Sequence, residues 1–182
     1  MRRLLLTLAA LMVLPAQAED TEQLTAEARM QAKALGTQLM GVLKQTIEQD
    51  GPVAAISVCN TEAPAIASTL SKNGWQVGRT SLKVRNPGNA PDAWETQVLQ
   101  DFEVRLKAGA DPKTLEVSKV ADGEFRYMKA IPTAGLCVTC HGTALSADVV
   151  ARLDTLYPQD QARGFNVGDL RGAFTIRKTL QE

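Results

Sequence analysis

The chain has 182 residues, with 20 basic and 20 acidic side chains, three cysteines, a single histidine and only 4% aromatic residues. A formal charge of zero, with no basic tract, excludes the electrostatic footprint of a nucleic-acid binder. The length fits one domain with its own core, and the scarcity of aromatic rings leaves space there for a flat apolar group that the sequence does not encode.

The N-terminus sets the expected compartment. Arg2 and Arg3 precede an apolar run from Leu4 to Leu14, and Ala16-Gln17-Ala18 follows, which is the pattern of a secretory signal peptide over residues 1–18. The run is too short for a permanent membrane span. Cleavage near Ala18/Glu19 is expected to release a periplasmic or secreted protein without a stable membrane anchor, with residues 19–182 as a single domain. Losing residues 1–18 removes two arginines and no acids, leaving 164 residues with a formal charge of −2.

From Thr21 to Gln49, Leu24, Ala28, Leu35, Leu39, Val42, Leu43 and Ile47 recur at helical spacing. Asp50-Gly51-Pro52 predicts the stop of this long amphipathic helix. Its Met30 and Met40 read as core filler. Beyond Pro52, Val53, Ile56 and Cys59 share a face and Ile66 and Leu70 carry the pattern to Gly74. With Thr61 as a cap, two short helices joined at Asn60-Thr61 are predicted. "WQVGRTSLKVR" at 75–85 alternates like a strand and ends in the turn-rich "NPGNAP".

A helix from about Asp92 to Ala108 follows, with Trp94, Val98, Leu99, Phe102 and Leu106 inward and Gly109 closing it. "TLEVSKV" and "EFRYMKAIPT" read as strands joined by a hairpin at Asp122-Gly123. A short helix at about 146–153, a polar loop at 157–169 and an edge or central strand "LRGAFTIRKTL" complete the chain. Helices first, then antiparallel strands with one inserted helix, give an α+β domain.

The chemistry is concentrated in Cys137-Val138-Thr139-Cys140-His141. C-x-x-C-H is the attachment signature of a c-type haem. Thiols at i and i+3 on a turn of helix reach the two vinyl groups of one macrocycle as thioethers, and the adjacent imidazole supplies the proximal iron ligand. Covalent tethering also keeps the cofactor from being lost outside the cell, and export agrees with c-type maturation beyond the cytoplasm. The competing readings are a Cys137–Cys140 disulfide in an oxidising compartment, a thioredoxin-like redox pair lacking its βαβ context, and a zinc site from Cys59, Cys137, Cys140 and His141. The zinc site is geometrically poor, because Cys140 and His141 are adjacent in the chain.

With one histidine, bis-histidine ligation within a monomer is impossible. The candidates for the second axial position are Met30, Met40, Met128 and Cys59, with lysine, water or a vacant position as fallbacks. An unpaired cysteine in an exported protein calls for an explanation, and burial as a small hydrophobe is the alternative one. Arg85, Arg126 and Arg171 stand beside turns or strand ends where a guanidinium can pair with a haem propionate, or lie solvated on the surface. Trp94 and Tyr127 read first as core residues, and Asn86, Pro87 and Gly88 as turn formers.

Four segments, "ISVCNTEAPAIA" around Cys59, "VRNPGNAPDAWE" at 84–95, "CVTCHG" at 137–142 and "YPQDQARGFNVGDLRGAFTI" at 157–176, together resemble a family of single-haem, PAS-like c-type proteins found alone or as extracytoplasmic sensor modules. That resemblance implies a PAS-like antiparallel sheet with a long N-terminal helix and flanking helices. It also implies one covalent haem c on Cys137 and Cys140, and iron held between His141 and Cys59. The expected function is electron transfer or haem-based redox or gas sensing. A redox or signalling protein would be the partner, with a diatomic gas as the sensed ligand. The enzyme alternative, a small peroxidase or nitrogen-oxide reductase, needs a vacant distal position and a proton donor, and no second histidine is available for that role. A haem-free zinc or disulfide module is the third class.

Overall fold

The computed structural model describes residues 16–180. The apolar run Leu4–Leu14 of the expected signal peptide lies outside the described residues. Helix α1 spans Ala16–Leu70, 55 residues interrupted only at Gly51, which takes φ 82 and ψ 175. Glycine adopts that left-handed value without steric cost, and Pro52 opens the next turn with no N–H left unsatisfied. The expected stop is therefore where the helical path breaks: α1 is two helical halves meeting at a kink at Gly51. The expected break at Asn60-Thr61 is absent. Thr61 Oγ1 donates to the Ser57 carbonyl at 3.0 Å, so its hydroxyl is satisfied one turn back in the helix and caps nothing.

Four strands follow the expected segments: β1 Trp75–Thr80, β2 Glu116–Ala121, β3 Glu124–Pro132 and β4 Leu170–Thr179. They form one antiparallel sheet in the order β1-β4-β3-β2, which puts the C-terminal strand in the interior. Asp122 and Gly123 turn the β2–β3 hairpin with φ of 54 and 72, the paired positive values that match the twist of the strands. Helix α2, Ala93–Lys107, begins with a capping box in which Asp92 and Glu95 each accept the other's backbone N–H, at 2.9 and 3.0 Å.

The pleat gives the sheet two different faces. Trp75, Val77, Phe125, Tyr127 and Ile176 pack against Ala28, Ala32 and Leu35 of α1. Met128, Ala130 and Ala173 pack against Val98, Leu99 and Phe102 of α2. Two short helices, α3 Val138–His141 and α4 Ala147–Leu156, lie between β3 and β4 in the chain, and Val149 and Leu153 of α4 pack on Ile56 of α1. The domain is α+β, with a long N-terminal helix against a four-stranded antiparallel sheet, consistent with the PAS-like arrangement.

Glu116 clasps α1 to the sheet. It accepts from Arg29 of α1, from Tyr127 Oη at 2.7 Å and from Lys129 Nζ at 3.2 Å. Burial alone would raise its carboxyl, but these hydrogen bonds outweigh burial and hold it at about 2, against an ordinary 4.5. With the folded value below the unfolded one, the stabilisation is complete above pH 4.5 and is lost as the pH falls toward about 2. The melting temperature should drop across that window, and Glu116→Gln should flatten this part of the profile. Circular dichroism melts at stepped pH would show it, and an unchanged acid slope in the variant would remove Glu116 from the account.

Candidate cofactor site

After β3 the chain is tied to the loop preceding β4. The Thr133 N–H donates to the Asp169 carbonyl and the Gly168 N–H to the Thr133 carbonyl, both at 2.8 Å. A turn then closes with the Cys137 N–H on the Ala134 carbonyl at 2.9 Å, and α3 follows at once, its His141 N–H bonded to the Cys137 carbonyl at 2.9 Å. The thiols of Cys137 and Cys140 are thus about one helical turn apart, with the imidazole next in line. Gly142 ends the turn, and a Cβ added there would run into the Val138 carbonyl oxygen.

His141 Nδ1 lies 2.7 Å from the Ala162 carbonyl oxygen. A carbonyl only accepts, so Nδ1 carries the proton and Nε2 keeps its lone pair. Burial, reinforced by Arg171 and Arg85, lowers the imidazole to about 2, and the ring is neutral near pH 7. Phe165 stands edge-on to it, with ring centroids 6.3 Å apart. Two backbone bonds, from Phe165 N–H to the His141 carbonyl at 2.9 Å and from Gly164 N–H to the Gly142 carbonyl at 3.0 Å, fix the loop against α3. Arg85 secures the same junction. Its Nε donates to Asp160 Oδ1 at 3.1 Å, and its Nη2 donates to the carbonyls of Cys140 at 2.6 Å and Ala162 at 3.2 Å. Hydrogen bonds from Arg163, Arg85 and the Ala162 N–H hold the Asp160 carboxyl below its ordinary range despite burial.

His141, Cys137 and Cys140 line an open-mouthed cavity of about 180 Å³, whose opposing contributions come from α1 and from the ends of β1 and β4. Its lining is mainly apolar, including Leu39, Ile56, Leu136 and Phe174, and it contains Cys59. All three thiols are free and half-buried. Phe174 reaches its place because position 36 is glycine, where an added Cβ would come within 2.9 Å of the ring's Cζ. Arg85 also contributes to the lining, as do the guanidiniums of Arg79 and Arg171. Arg171 donates to Ser81 Oγ at 3.2 Å and stacks over Phe165 at 5.3 Å. Burial, with Arg85 and Arg79 nearby, lowers it to about 10. Neither Arg79 nor Arg171 has a carboxylate partner among the described residues.

Most of the expected site is gathered here, with one correction. Arg126 lies on the α2 side of the sheet, because the pleat turns residue 126 away from its neighbours 125 and 127. There it pairs with Asp92 at 2.6 Å and Glu95 at 3.2 Å and stacks on Trp94 at 4.5 Å, so it is not a cavity residue. Tyr127 is a fully buried core residue bound to Glu116. Met30 is 63% exposed and Met128 is sealed in the α2 core, leaving Met40 as the methionine that reaches the cavity. No three His, Cys, Asp or Glu side chains among the described residues are grouped to hold a metal ion, which speaks against the zinc arrangement. Sequence reasoning passed over Arg79, although residues 75, 77 and 79 share one strand face and a charge after two apolar inward positions is a readable sign. The Ala162 carbonyl left no trace in the side-chain pattern.

The fold and site define an α+β domain whose sheet, packed on a long helix, borders a cavity presenting two thiols, an imidazole, a third thiol and two cations without a carboxylate partner. The chain belongs to the Tll0287-like family, whose model matches residues 21–178. It is similar in fold to the crystal structure of the cyanobacterial heme-protein Tll0287, with a TM-score of 0.64 and 24% identity over 92% of this chain and 99% of that one. No curated protein sequence matches it.

Gly172 marks the closest approach at the cavity wall, where an added Cβ would strike the Thr80 carbonyl oxygen and lie 3.1 Å from Ser81 Cβ. Gly172→Ala should cost about 1–3 kcal/mol, the usual penalty for overpacking. Denaturant unfolding would measure it, and a loss below a few tenths of a kcal/mol would mean the β1 end yields freely.

Proposed function

We propose that this protein is an exported c-type haem protein that carries one haem and works in electron transfer or in redox or gas sensing. The observation that carries the reading is that Cys59 of α1 and Cys137, Cys140 and His141 of the α3 segment line one largely apolar cavity. The description of a structural relative as a heme-protein supports it. Cys137 and Cys140 would be the covalent anchors. Each S–H would add across one vinyl C=C, sulfur to one carbon and hydrogen to the other, with no net oxidation. His141 would offer Nε2 to the iron, its orientation fixed by Nδ1–H on Ala162. Cys59 would be the second axial donor.

A bound haem supplies one-electron exchange at its iron. The chain's part is to set the ligands, keep water from the apolar wall and balance charge. A thiolate from Cys59 favours the ferric state, so the midpoint should lie well below that of a histidine–methionine cytochrome. Displacement of Cys59 by a diatomic gas is the sensing form of the same chemistry. Arg171, beside the cavity, would face one propionate, while Arg85 is engaged in holding α3 and the Ala162 loop. Residues 1–18 would direct the chain to the periplasm or beyond, and a separate redox or signalling protein would be the partner.

Mass spectrometry of protein produced with an intact c-type maturation system should show one added haem, and Cys137→Ala with Cys140→Ala should abolish the covalent increment. A bare apoprotein mass with no Soret band would end the proposal. Cys59→Ala should alter the optical and paramagnetic-resonance spectra of the matured protein. Spectra identical to wild type would return Cys59 to the core and bring Met40 forward.

A further inference from the structure

Arg79 is anomalous in its own strand. Trp75 and Val77 point at α1 and are 7% exposed, and the two-residue period of a strand puts Arg79 on that same inward face. A guanidinium in this position costs desolvation, and its pKa is lowered chiefly by burial. Buried arginines are ordinarily paired. The surrounding arginines show what pairing looks like here: Arg85 has Asp160, and Arg126 has Asp92 and Glu95. The Arg79 side chain makes no hydrogen bond or ion pair among the described residues, and it lines the cavity.

The charges around the cavity make the point quantitative. Asp160 is 1% exposed and is matched by Arg85, while Arg79 and Arg171 have no carboxylate of their own. An apolar cavity carrying two uncompensated guanidiniums is complementary to a ligand with two negative groups, each able to take a planar, bidentate hydrogen-bonding partner. We infer that Arg79 is a propionate-binding residue of the haem, taking one propionate while Arg171 takes the other. This rests on the haem reading above and adds to it a residue that the motif gives no hint of. Arg79, which also interacts electrostatically with Cys59, would act on the iron through charge. Its cation next to a propionate offsets negative charge near the metal, so its loss favours the ferric state.

The test uses the matured wild-type protein, Arg79→Gln, Arg79→Lys and, as a control outside the cavity, Arg126→Gln. Resonance Raman spectra and potentiometric midpoints are read for each. In Arg79→Gln one propionate bending band should shift and the midpoint should move to more negative potential. Arg79→Lys should restore the midpoint in large part but not the band position, because an ammonium keeps the charge without the planar fork. Arg126→Gln should leave both readouts at wild-type values. Matured Arg79→Gln with wild-type propionate bands and midpoint would overturn the inference while leaving the haem reading intact. Equal changes in Arg126→Gln would overturn it too, by showing a general effect of destabilisation. Wild-type protein that matures without haem would overturn both together.

Discussion

The site depends on a hydrogen bond between one ring nitrogen and one backbone carbonyl. His141 is the sole imidazole of the chain, and the bond from Nδ1 to Ala162 at 2.7 Å decides which of its nitrogens is available. That bond needs the 157–169 loop to be held against α3, which is what Arg85 and Asp160 do. One guanidinium reaches the α3 carbonyl at Cys140 and the loop carbonyl at Ala162, and Asp160 returns a bond to the Ala162 N–H at 2.9 Å. A buried ion pair is often neutral for stability. Here its contribution is geometric, since it sets two backbone segments in register with the ring between them.

Pleat and layering then determine which charges the cavity sees. Residues of odd number in β1 and β3 face α1, and those of even number in β3 face α2. Arg79 and Arg126 are both strand arginines with half-buried side chains, yet they do different work. Arg126 is neutralised on the far face by the acids at the head of α2, whereas Arg79 is left facing an apolar wall. A shift of one residue in register would exchange the two environments.

The strands and α2 were legible in the sequence because alternation, the Asp-Gly turn and the Asp92–Glu95 cap are local signals. Much of the candidate site's grouping was legible as well, since Cys137, Cys140 and His141 are close in sequence and Cys59, the leftover thiol, lines the same cavity. What misled was also local. Gly51 and Pro52 do mark the kink between the two halves of α1, but Asn60-Thr61, which reads as a second break, is continuous helix. Thr61 and Arg126 were misread for a related reason: a side chain's partner depends on which turn or which face lies opposite, and that is decided by distant segments. Arg79 could have been found by asking which inward strand position carries a charge.

The contact between Gly36 and Phe174 has its own implication for the void beside them. Interiors pack at crystal density, and here an aromatic ring occupies the place where a side chain of α1 would otherwise stand. The capacity of the chamber is thereby controlled by an absent methyl group on the helix. Alanine at 36 would displace the ring and reshape the chamber without altering any of its thiols or its imidazole.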